Sequence, residues 1–423
     1  MCFIAVKSIF FNIDIIFIYL KMNFRKIIIL VLIFSFMVAC VSPYYPNITK
    51  YENLLVVDGQ MTNLTGPYMV KLSRTYRYDG GVGESVIGAS VKIIDNTGLE
   101  VLLKEISAGV YSTVDTTFHG IPGKSYKLQI KDKNDIFESE FETIKNPLPI
   151  DKINWVYKSQ DSEAPKRVQL LLDAHDPTNS TRYYGWEYIE TWKFKVPLDV
   201  VRPLKPEWKT CYQTNTSAFI NLGTTIERNN DVIEKQVLQT IEENTNRLYI
   251  RYSILARQYS FTEPTYRYLH NLTNLNKNQG TLFDPTPYSL TGNIKCLNNK
   301  NIPVVGYFVV AGAAEKRIFI DRSDLPKEYN PTNGFNGCSE NIIYVDAKIK
   351  DYRLNRQYDS LTRLGYSVYD TVHIPICKEP IPPYPIQCTT IPGIQMSLAK
   401  SICYNCTLSG DNKIPAFWTE KNK

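Results

Sequence analysis

The sequence predicts a mainly β protein: an N-terminal immunoglobulin-like or prealbumin-like β-sandwich followed by a larger, β-rich α+β domain. Residue usage is one basis, because 29 of the 423 residues are tyrosine and aromatic side chains suit pleated sheets. Patterning is the other. Short runs of alternating apolar and polar residues are separated by clusters of Asn, Asp, Gly and Pro, which is typical of strands joined by turns. The length suits about two or three domains.

The first unit is predicted over residues 53–146. Its opening stretches, "LLVVDGQMTN" and "GPYMVKLSRTYRY", indicate two strands, and "ASVKIIDNTGLEVLLKE" indicates a hairpin that turns at residues 95–98. Two more strands are expected on either side of residues 120–123. Strands at this spacing are typical of a sandwich of about 100 residues. The Pro-rich stretch "IKNPLPIDKINWVY" then marks the boundary with the second unit.

The second unit, residues 147–423, is predicted to mix long strands with one helix. The stretch "RVQLLLDAHDPTNSTRYYGWEYIETWKFKV" indicates two long strands around a turn at residues 176–179. Ser260 or Thr262 is expected to cap the helix, because Glu and Pro follow in the first turn. The stretch "PVVGYFVVAGAAEKRIFIDRSDLP" predicts a hairpin that turns at residues 312–314.

An export signal is predicted ahead of the first unit. Arg25 and Lys26 precede an apolar run over residues 27–39, and a short basic segment followed by such a run is the pattern of a signal peptide. The run is short for a membrane span, which needs about 20 apolar residues. Met22 is the expected true start, because the stretch before it is a separate apolar patch broken by Asn and Asp.

The signal ends at Cys40. The stretch "MVAC", residues 37–40, is similar to a bacterial lipobox, in which a small residue precedes the cleaved bond and the cysteine carries the lipid. Residues 1–39 are therefore the predicted leader, and residues 40–52 are a predicted lipidated tether. Membrane lipid, held through Cys40, is thus one expected partner. The alternative is an uncleaved N-terminal anchor helix.

Disulfides are predicted near the C-terminus. Seven cysteines follow the lipidation site: Cys211, Cys296, Cys338, Cys377, Cys388, Cys403 and Cys406. Exported chains favour disulfides, so Cys403 and Cys406 are each expected to reach back to Cys388 or Cys377. The alternative is a four-thiolate zinc site, because two of these cysteines have zinc-knuckle spacing. Disulfides are favoured, and no metal is predicted.

The remaining cysteines suggest one further pair. Cys296 and Cys338 are expected to bond to each other. Because seven is an odd number, one thiol is left over, and Cys211 is the expected odd thiol.

Aromatic residues are the candidate binding groups. The second long strand carries Trp186, Tyr188 and Trp192, and a stretch near the C-terminus carries Phe417 and Trp418 after a proline. Aromatic side chains are enriched at interfaces, so these five are candidates for contacting a partner. The strand aromatics allow two interpretations: a sugar-stacking surface, or side chains that fill a core. The core interpretation is favoured.

No catalytic set is recognised in the sequence. Asp173 and His175 would share one face of a strand and could form an acid–base pair, but Asp176 followed by proline predicts a strand end and a turn, and the turn is favoured. The four histidines form no metal pair at helical spacing. The formal charge of +6 is dispersed over the chain, which argues against a nucleic-acid partner. No cofactor is predicted.

The order of several stretches resembles one known family. These stretches are "LLVVDGQMTN", "GPYMVKLSR", "RYYGWEYIETW", "RYSILARQYS", "GTLFDP", "GNIKC", "VVGYFVVAG", "KRIFIDRSDLP" and "CYNCTLSGDNKIPAFW". Together they resemble the Bacteroidota lipoprotein family known as domain of unknown function 4249, over about residues 53–418. The resemblance implies an outer-membrane lipoprotein, commonly encoded beside a TonB-dependent receptor. It brings no catalytic residues.

The expected function is therefore non-enzymatic. The chain is predicted to be lipid-anchored in the outer membrane and to assist a TonB-dependent receptor in substrate capture or docking. The membrane face, cell surface or periplasmic, is left undetermined by the sequence. Two alternatives belong to other classes: a surface glycan hydrolase, and a structural or adhesive surface module.

Overall fold

The computed structural model describes residues 53–75, 83–161, 164–199, 206–277, 290–338, 341–346, 360–364, 366–375 and 392–420. The strands of the first part of the chain are β1 Leu55–Thr62, β2 Met69–Arg74, β3 Ser90–Asp95, β4 Glu100–Ser107, β5 Val110–Thr113, β6 Ser125–Asp132, β7 Asp135–Ser139 and β8 Glu142–Thr143.

The later elements also follow in chain order. The next strands are β9 Lys152–Lys158, β10 Arg167–Asp176, β11 Tyr183–Lys195, β12 Thr210–Thr216, β13 Asn221–Thr224, β14 Asp231–Glu242 and β15 Arg251–Ser260. Helix α1 spans Glu263–Lys277. The last strands are β16 Ile294–Cys296, β17 Val304–Asp321, β18 Asn341–Asp346, β19 Tyr366–Pro375 and β20 Pro392–Lys400. Short 3-10 helices occupy Pro206–Trp208, Arg322–Asp324, Ser401–Cys403 and Cys406–Leu408.

The strands form three sheets, so the predicted mainly β class is confirmed. A 14-stranded sheet has the order β12-β11-β15-β17-β1-β2-β5-β4-β3-β6-β7-β16, with β13 on β11 and β8 on β6. Two three-stranded sheets have the orders β14-β10-β9 and β18-β20-β19. The predicted hairpin is β3 with β4, in which Ile94 lies opposite Glu100.

The predicted hairpin around residues 312–314 is wrong, because β17 is one continuous strand of 18 residues. Its first half, from Val304, pairs in parallel with β1, and its second half, from Gly312, pairs antiparallel with β15. The small residues serve close approach rather than a turn. A Cβ at Gly312 would lie 2.2 Å from the carbonyl oxygen of Lys145. The boundary between residues 146 and 147 stays a prediction, although β17 joins strands from both sides of it.

The β14-β10-β9 sheet packs on one face of the large sheet. Side chains of the β14-β10-β9 sheet share an apolar core with the facing side chains of β11 and β15. This core includes Leu170 and Leu172 from β10, and Trp192, Phe194 and Ile254 from the large sheet. Two sheet faces packed on a shared core are the arrangement of a β-sandwich. A second core fills the N-terminal part, between β1–β6 and β17.

The predicted helix is confirmed at its expected cap. The Thr262 hydroxyl oxygen accepts a hydrogen bond from the backbone N–H of Thr265, at 3.4 Å, and α1 begins at the next residue, Glu263. Ser260, the other candidate cap, is the last residue of β15. Thr262 is therefore the cap, and the same hydroxyl donates to the Glu142 carboxylate at 2.8 Å.

Two disulfides link the C-terminal segment to the rest of the fold. Cys211 bonds Cys406 and Cys338 bonds Cys403. The prediction that Cys403 and Cys406 are oxidised is confirmed, and bonds to distinct partners rule out their sharing a zinc ion. The predicted partners were wrong. Cys211 is not the odd thiol, because it bonds Cys406. The two cysteines are 195 positions apart, and pairing over such a distance cannot be inferred from local cysteine spacing.

The predicted bond between Cys296 and Cys338 is also wrong. Cys296 lies on β16, opposite Phe137 of β7, where it is buried and free. That position is at the other edge of the large sheet from β12, whereas Cys338 lies beside the C-terminal segment. Cys377 and Cys388 lie outside the described residues.

Candidate functional site

The strand aromatics predicted as binding candidates belong to the core. Trp186 and Trp192 are 2% and 4% exposed and are members of the sandwich core, and Tyr188 packs against it. The Trp186 indole N–H donates to the side-chain oxygen of Gln258 at 2.7 Å. These rings therefore offer no free face for stacking a sugar, and the core interpretation of the sequence describes them correctly.

The C-terminal aromatics divide into one buried and one accessible ring. Trp418 is buried and packs edge-on against Tyr212 of β12, with ring centroids 4.9 Å apart. Phe417 is 36% exposed, and the guanidinium carbon of Arg317 lies 3.6 Å from its ring centroid. Trp418 therefore anchors the segment to the sheet, while Phe417 and Arg317 present a surface feature.

A polar depression of about 430 Å³ lies beside β12. Small-molecule sites commonly have volumes of about 300–1,000 Å³. The depression is lined by Trp192, Gln213, Thr214, Asn215, Asn244, Thr245, Asn246, Arg247 and Gly334. Amides and hydroxyls dominate this list, and we refer to these nine residues as the polar depression.

Strand register places one wall of the polar depression. On β11 and β12, Trp192 lies opposite Gln213 and Glu190 lies opposite Asn215. The other wall is the loop between β14 and β15. A neighbouring loop holds it, because the backbone N–H of Thr332 donates to the carbonyl oxygen of Glu243 at 3.0 Å. The two walls thus come from separate parts of the chain.

Gly334 lies at the rim of the polar depression, at a position where only glycine fits. Its φ is +77°, a conformation that glycine adopts without a steric penalty. A Cβ at this position would lie 3.0 Å from the Cβ of Asn246. The side chain of Asn246 thus rests directly on a glycine backbone.

A buried carboxylate supports the depression from below. Glu190 is fully buried. It accepts hydrogen bonds from the Tyr252 hydroxyl at 2.8 Å and the Asn215 amide at 3.1 Å, and one guanidinium nitrogen of Arg247 lies 3.3 Å away. Both carboxylate oxygens are therefore engaged, and the neighbouring cation offsets the buried charge. Such a group fixes the side chains around it rather than serving as a free base.

Burial, together with the Glu190 carboxylate, raises the pKa of Tyr252 well above its ordinary value. Tyr252 therefore keeps its proton at physiological pH and remains a hydrogen-bond donor to Glu190. Burial and the same carboxylate also raise the pKa of Tyr188. Both tyrosines therefore stay protonated at physiological pH.

Several polar groups around the depression have no partner among the described residues. Within the described part of the chain, no hydrogen bond engages the side-chain amides of Gln213, Asn244 and Asn246, or the buried indole N–H of Trp192. The guanidinium carbon of Arg247 lies 5.4 Å from the Trp192 ring centroid. An unpaired buried donor costs about 1–3 kcal/mol. The arrangement can therefore offer donors and acceptors to a polar ligand.

The sequence carried one overlooked signal for this site. Along β11, Glu190 has the same alternation phase as Tyr188 and Trp192, so a carboxylate occupies a core-facing position among aromatics. A charged residue is almost never fully buried unless it is paired, so that phase predicts a partnered buried charge. Arg247 and Asn215 could not be identified as partners, because register and loop position decide them.

The Asp173–His175 pair weighed as an acid–base candidate is not formed. The His175 ring nitrogen lies 2.6 Å from the Asp151 carboxylate instead. Asp176 binds the turn, accepting from the Thr178 backbone N–H at 2.9 Å. Burial raises the pKa of Asp176, but hydrogen bonds from the turn outweigh it and lower the pKa to about 2. The favoured turn interpretation is thus confirmed.

The N-terminal part holds a second, smaller pocket. It has a volume of about 210 Å³ and is lined mainly by apolar side chains of the β3–β4 hairpin and the segment before β6, among them Ile93, Leu99, Val101 and Ile121. It is smaller than most small-molecule sites, and we do not assign it a ligand.

These features define a class: a mainly β, disulfide-linked protein with a polar depression at the edge of a sandwich. The chain belongs to the family described as Domain of unknown function (DUF4249), whose model matches residues 41–317. That span includes every residue of the polar depression except Gly334. No curated protein matches the chain. Among the described residues, no helix combines the length and apolar character needed to cross a membrane.

Proposed function

We propose that this protein is a non-enzymatic, lipid-anchored component of a Bacteroidota outer membrane that captures a ligand and assists a TonB-dependent receptor. The chain belongs to the DUF4249 family, and the resemblance described from the sequence implies lipoproteins encoded beside such receptors, which supports the proposal. The lipid is attached at Cys40, and residues 40–52 form the tether. Several acyl chains give a lasting hold, whereas a single chain binds only marginally.

The polar depression is the observation that supports ligand capture. Its carboxylate, Glu190, is buried and engaged by Tyr252, Asn215 and Arg247, while the amides of Gln213 and Asn246 at its wall have no partner in the described chain. A site whose charged groups satisfy one another, and whose wall presents such neutral amides to solvent, is suited to binding. This contrast favours a ligand-binding protein over a hydrolase.

Disulfides support export. Cys211–Cys406 and Cys338–Cys403 connect distant parts of the chain, and disulfides persist in oxidising compartments such as the envelope. Both bonds secure the segment that carries Phe417. Phe and Arg are enriched at protein interfaces, so Phe417 with Arg317 is the feature we assign to receptor contact.

Affinity purification from native outer membranes in mild detergent tests this proposal. We expect to recover a TonB-dependent receptor in near-equal amount. A complex that survives purification should bury at least about 1,000 Å². Phe417→Ala should reduce receptor recovery. The matched control is Phe219→Ala, an exposed phenylalanine after β12, which should leave recovery unchanged. Repeated purification of the lipoprotein alone, with hydrolysis of a glycan or peptide panel, would reject the proposal in favour of an enzyme.

A further inference from the structure

We infer that the polar depression binds a neutral oligosaccharide. The inference rests on the proposed capture function and adds the chemical class of the ligand. Three observations support it: the charge of the lining residues, their hydrogen-bonding groups, and the occupation of the β12 edge by the C-terminal segment.

The charge of the depression favours a neutral ligand. Arg247 is the one cation among its nine lining residues, and none of the nine is acidic. That cation is already paired with the buried Glu190 carboxylate, at 3.3 Å. Recognition of a phosphate or carboxylate usually relies on an Arg whose two N–H groups are available together. Here the guanidinium is shared between Glu190 and the Trp192 ring, so an anion would find little uncompensated positive charge.

The hydrogen-bonding groups match hydroxyls. Side-chain amides both donate and accept, as do hydroxyl groups. Gln213, Asn244 and Asn246 thus complement a ligand rich in hydroxyls. The Thr245 hydroxyl donates to the Glu242 carbonyl oxygen at 3.0 Å and can still accept a hydrogen bond from a ligand. A saccharide supplies hydroxyl and ring oxygens that can take hydrogen bonds from such groups.

An extended peptide is the competing occupant, because β12 is an edge strand of the large sheet and peptides can add a strand to an open edge. The C-terminal segment already occupies that edge at Tyr212. The Tyr212 N–H donates to the Asp411 carbonyl oxygen at 2.8 Å, and the Asp411 N–H donates back at 2.9 Å. A continuous peptide strand along β12 would displace this bridge. The lining also provides no apolar subsite for peptide side chains, because Trp192, the one apolar side chain of the nine, is 4% exposed and has the Arg247 guanidinium over its ring.

Calorimetric titration of the purified full-length lipoprotein in detergent tests the inference. The probes are linear tetrasaccharides of glucose, mannose, galactose, xylose and N-acetylglucosamine, with tetragalacturonate and tetra-alanine as charged and peptide comparisons. We expect binding of at least one neutral tetrasaccharide, with an affinity that does not change with salt. Binding of tetragalacturonate or tetra-alanine alone, or of no probe, would overturn the inference.

Variants locate the binding site. Gln213→Ala and Asn246→Ala each remove an amide and should weaken binding about three- to tenfold, the worth of a typical hydrogen bond. Gly334→Ala should also weaken it, by displacing Asn246. Asn229→Ala is the matched control, because this exposed residue lies beyond the opposite end of β14. Equal loss in the control, or no loss in the site variants, would contradict the assignment.

The result is separable from the proposed function. Recovery of the receptor from native membranes without saccharide binding would overturn only the ligand class. Saccharide binding without any receptor would overturn the accessory role and leave the ligand class standing.

Discussion

A guanidinium nitrogen of Arg247 lies 3.3 Å from the carboxylate of Glu190. Arg247 lines the depression from the loop before β15, whereas Glu190 lies beneath the opposite wall, on β11. Their pairing therefore fixes the loop against the sheet. It also removes the net charge from the site, which is why the surrounding amides determine what the depression can bind.

Tyr252→Phe should destabilise the protein. The hydroxyl donates to the buried Glu190 carboxylate at 2.8 Å, and hydrogen bonds to charged groups are worth about 1.5–3 kcal/mol. We expect a loss of this size in the free energy of unfolding, measured by urea denaturation. The matched control is Tyr249→Phe, because Tyr249 is exposed and should change stability by less than about 0.5 kcal/mol. Equal effects in the two variants would contradict the role given to Glu190.

The disulfides should differ in their contribution to stability. Loss of a native disulfide typically costs about 2–5 kcal/mol. The Cys211–Cys406 bond closes a separation of 195 residues and the Cys338–Cys403 bond one of 65, so the chain-entropy model makes the first bond worth about 1 kcal/mol more. Cys211→Ser should therefore unfold at lower temperature than Cys338→Ser. Thermal unfolding of the two variants measures this difference. Non-reducing peptide mapping checks the disulfide pairing itself, and recovery of a Cys296–Cys338 peptide would contradict the pairing described above.

His175 should titrate above its ordinary range. The Asp151 carboxylate, through its hydrogen bond and its charge, raises the pKa of His175. A raised folded-state pKa contributes stability below the unfolded pKa, and that contribution is lost as the pH rises through the folded value. Histidine NMR titration should show the shift in the wild type. In Asp151→Asn the pKa should fall toward its ordinary value, and an unchanged value in that variant would sink the assignment.

Cys40→Ser should block maturation. If a peptidase cuts before a lipidated Cys40, as proposed, the variant should accumulate as an uncleaved precursor with the apolar run over residues 27–39 still attached. Mass spectrometry of the purified protein measures both changes: the retained leader and the missing acyl mass. Processing and membrane retention like those of the wild type would show that Cys40 is not the anchor.

Local pattern was sufficient for many of the elements. Alternation and turn residues predicted the β3–β4 hairpin, and the cap at Thr262 predicted α1. The pattern failed at β17, where Gly312 and its small neighbours look like a turn. Gly312 is small because the Lys145 backbone crosses there, and a crossing between distant segments is not encoded in local sequence.

The candidate site was harder to predict for a related reason. Trp186 and Trp192 stood out as aromatic residues, and the structure uses both as core. The depression instead depends on Gln213, Asn246 and Arg247, which are ordinary polar residues in sequence. Only strand register and loop placement bring them together. The same holds for Cys211, whose partner is set by the path of the C-terminal segment.

The central claim is capture by contact at the polar depression, and analysis of ligand before and after binding tests it most directly. The full-length protein and its Gln213→Ala and Asn246→Ala variants are incubated with the neutral tetrasaccharides and with tetra-alanine, and bound and free ligand are measured by mass spectrometry. The account predicts that the wild type retains a tetrasaccharide of unchanged length and that the variants retain less. Progressive shortening of a saccharide or peptide, with retention unaffected by the variants, would contradict it.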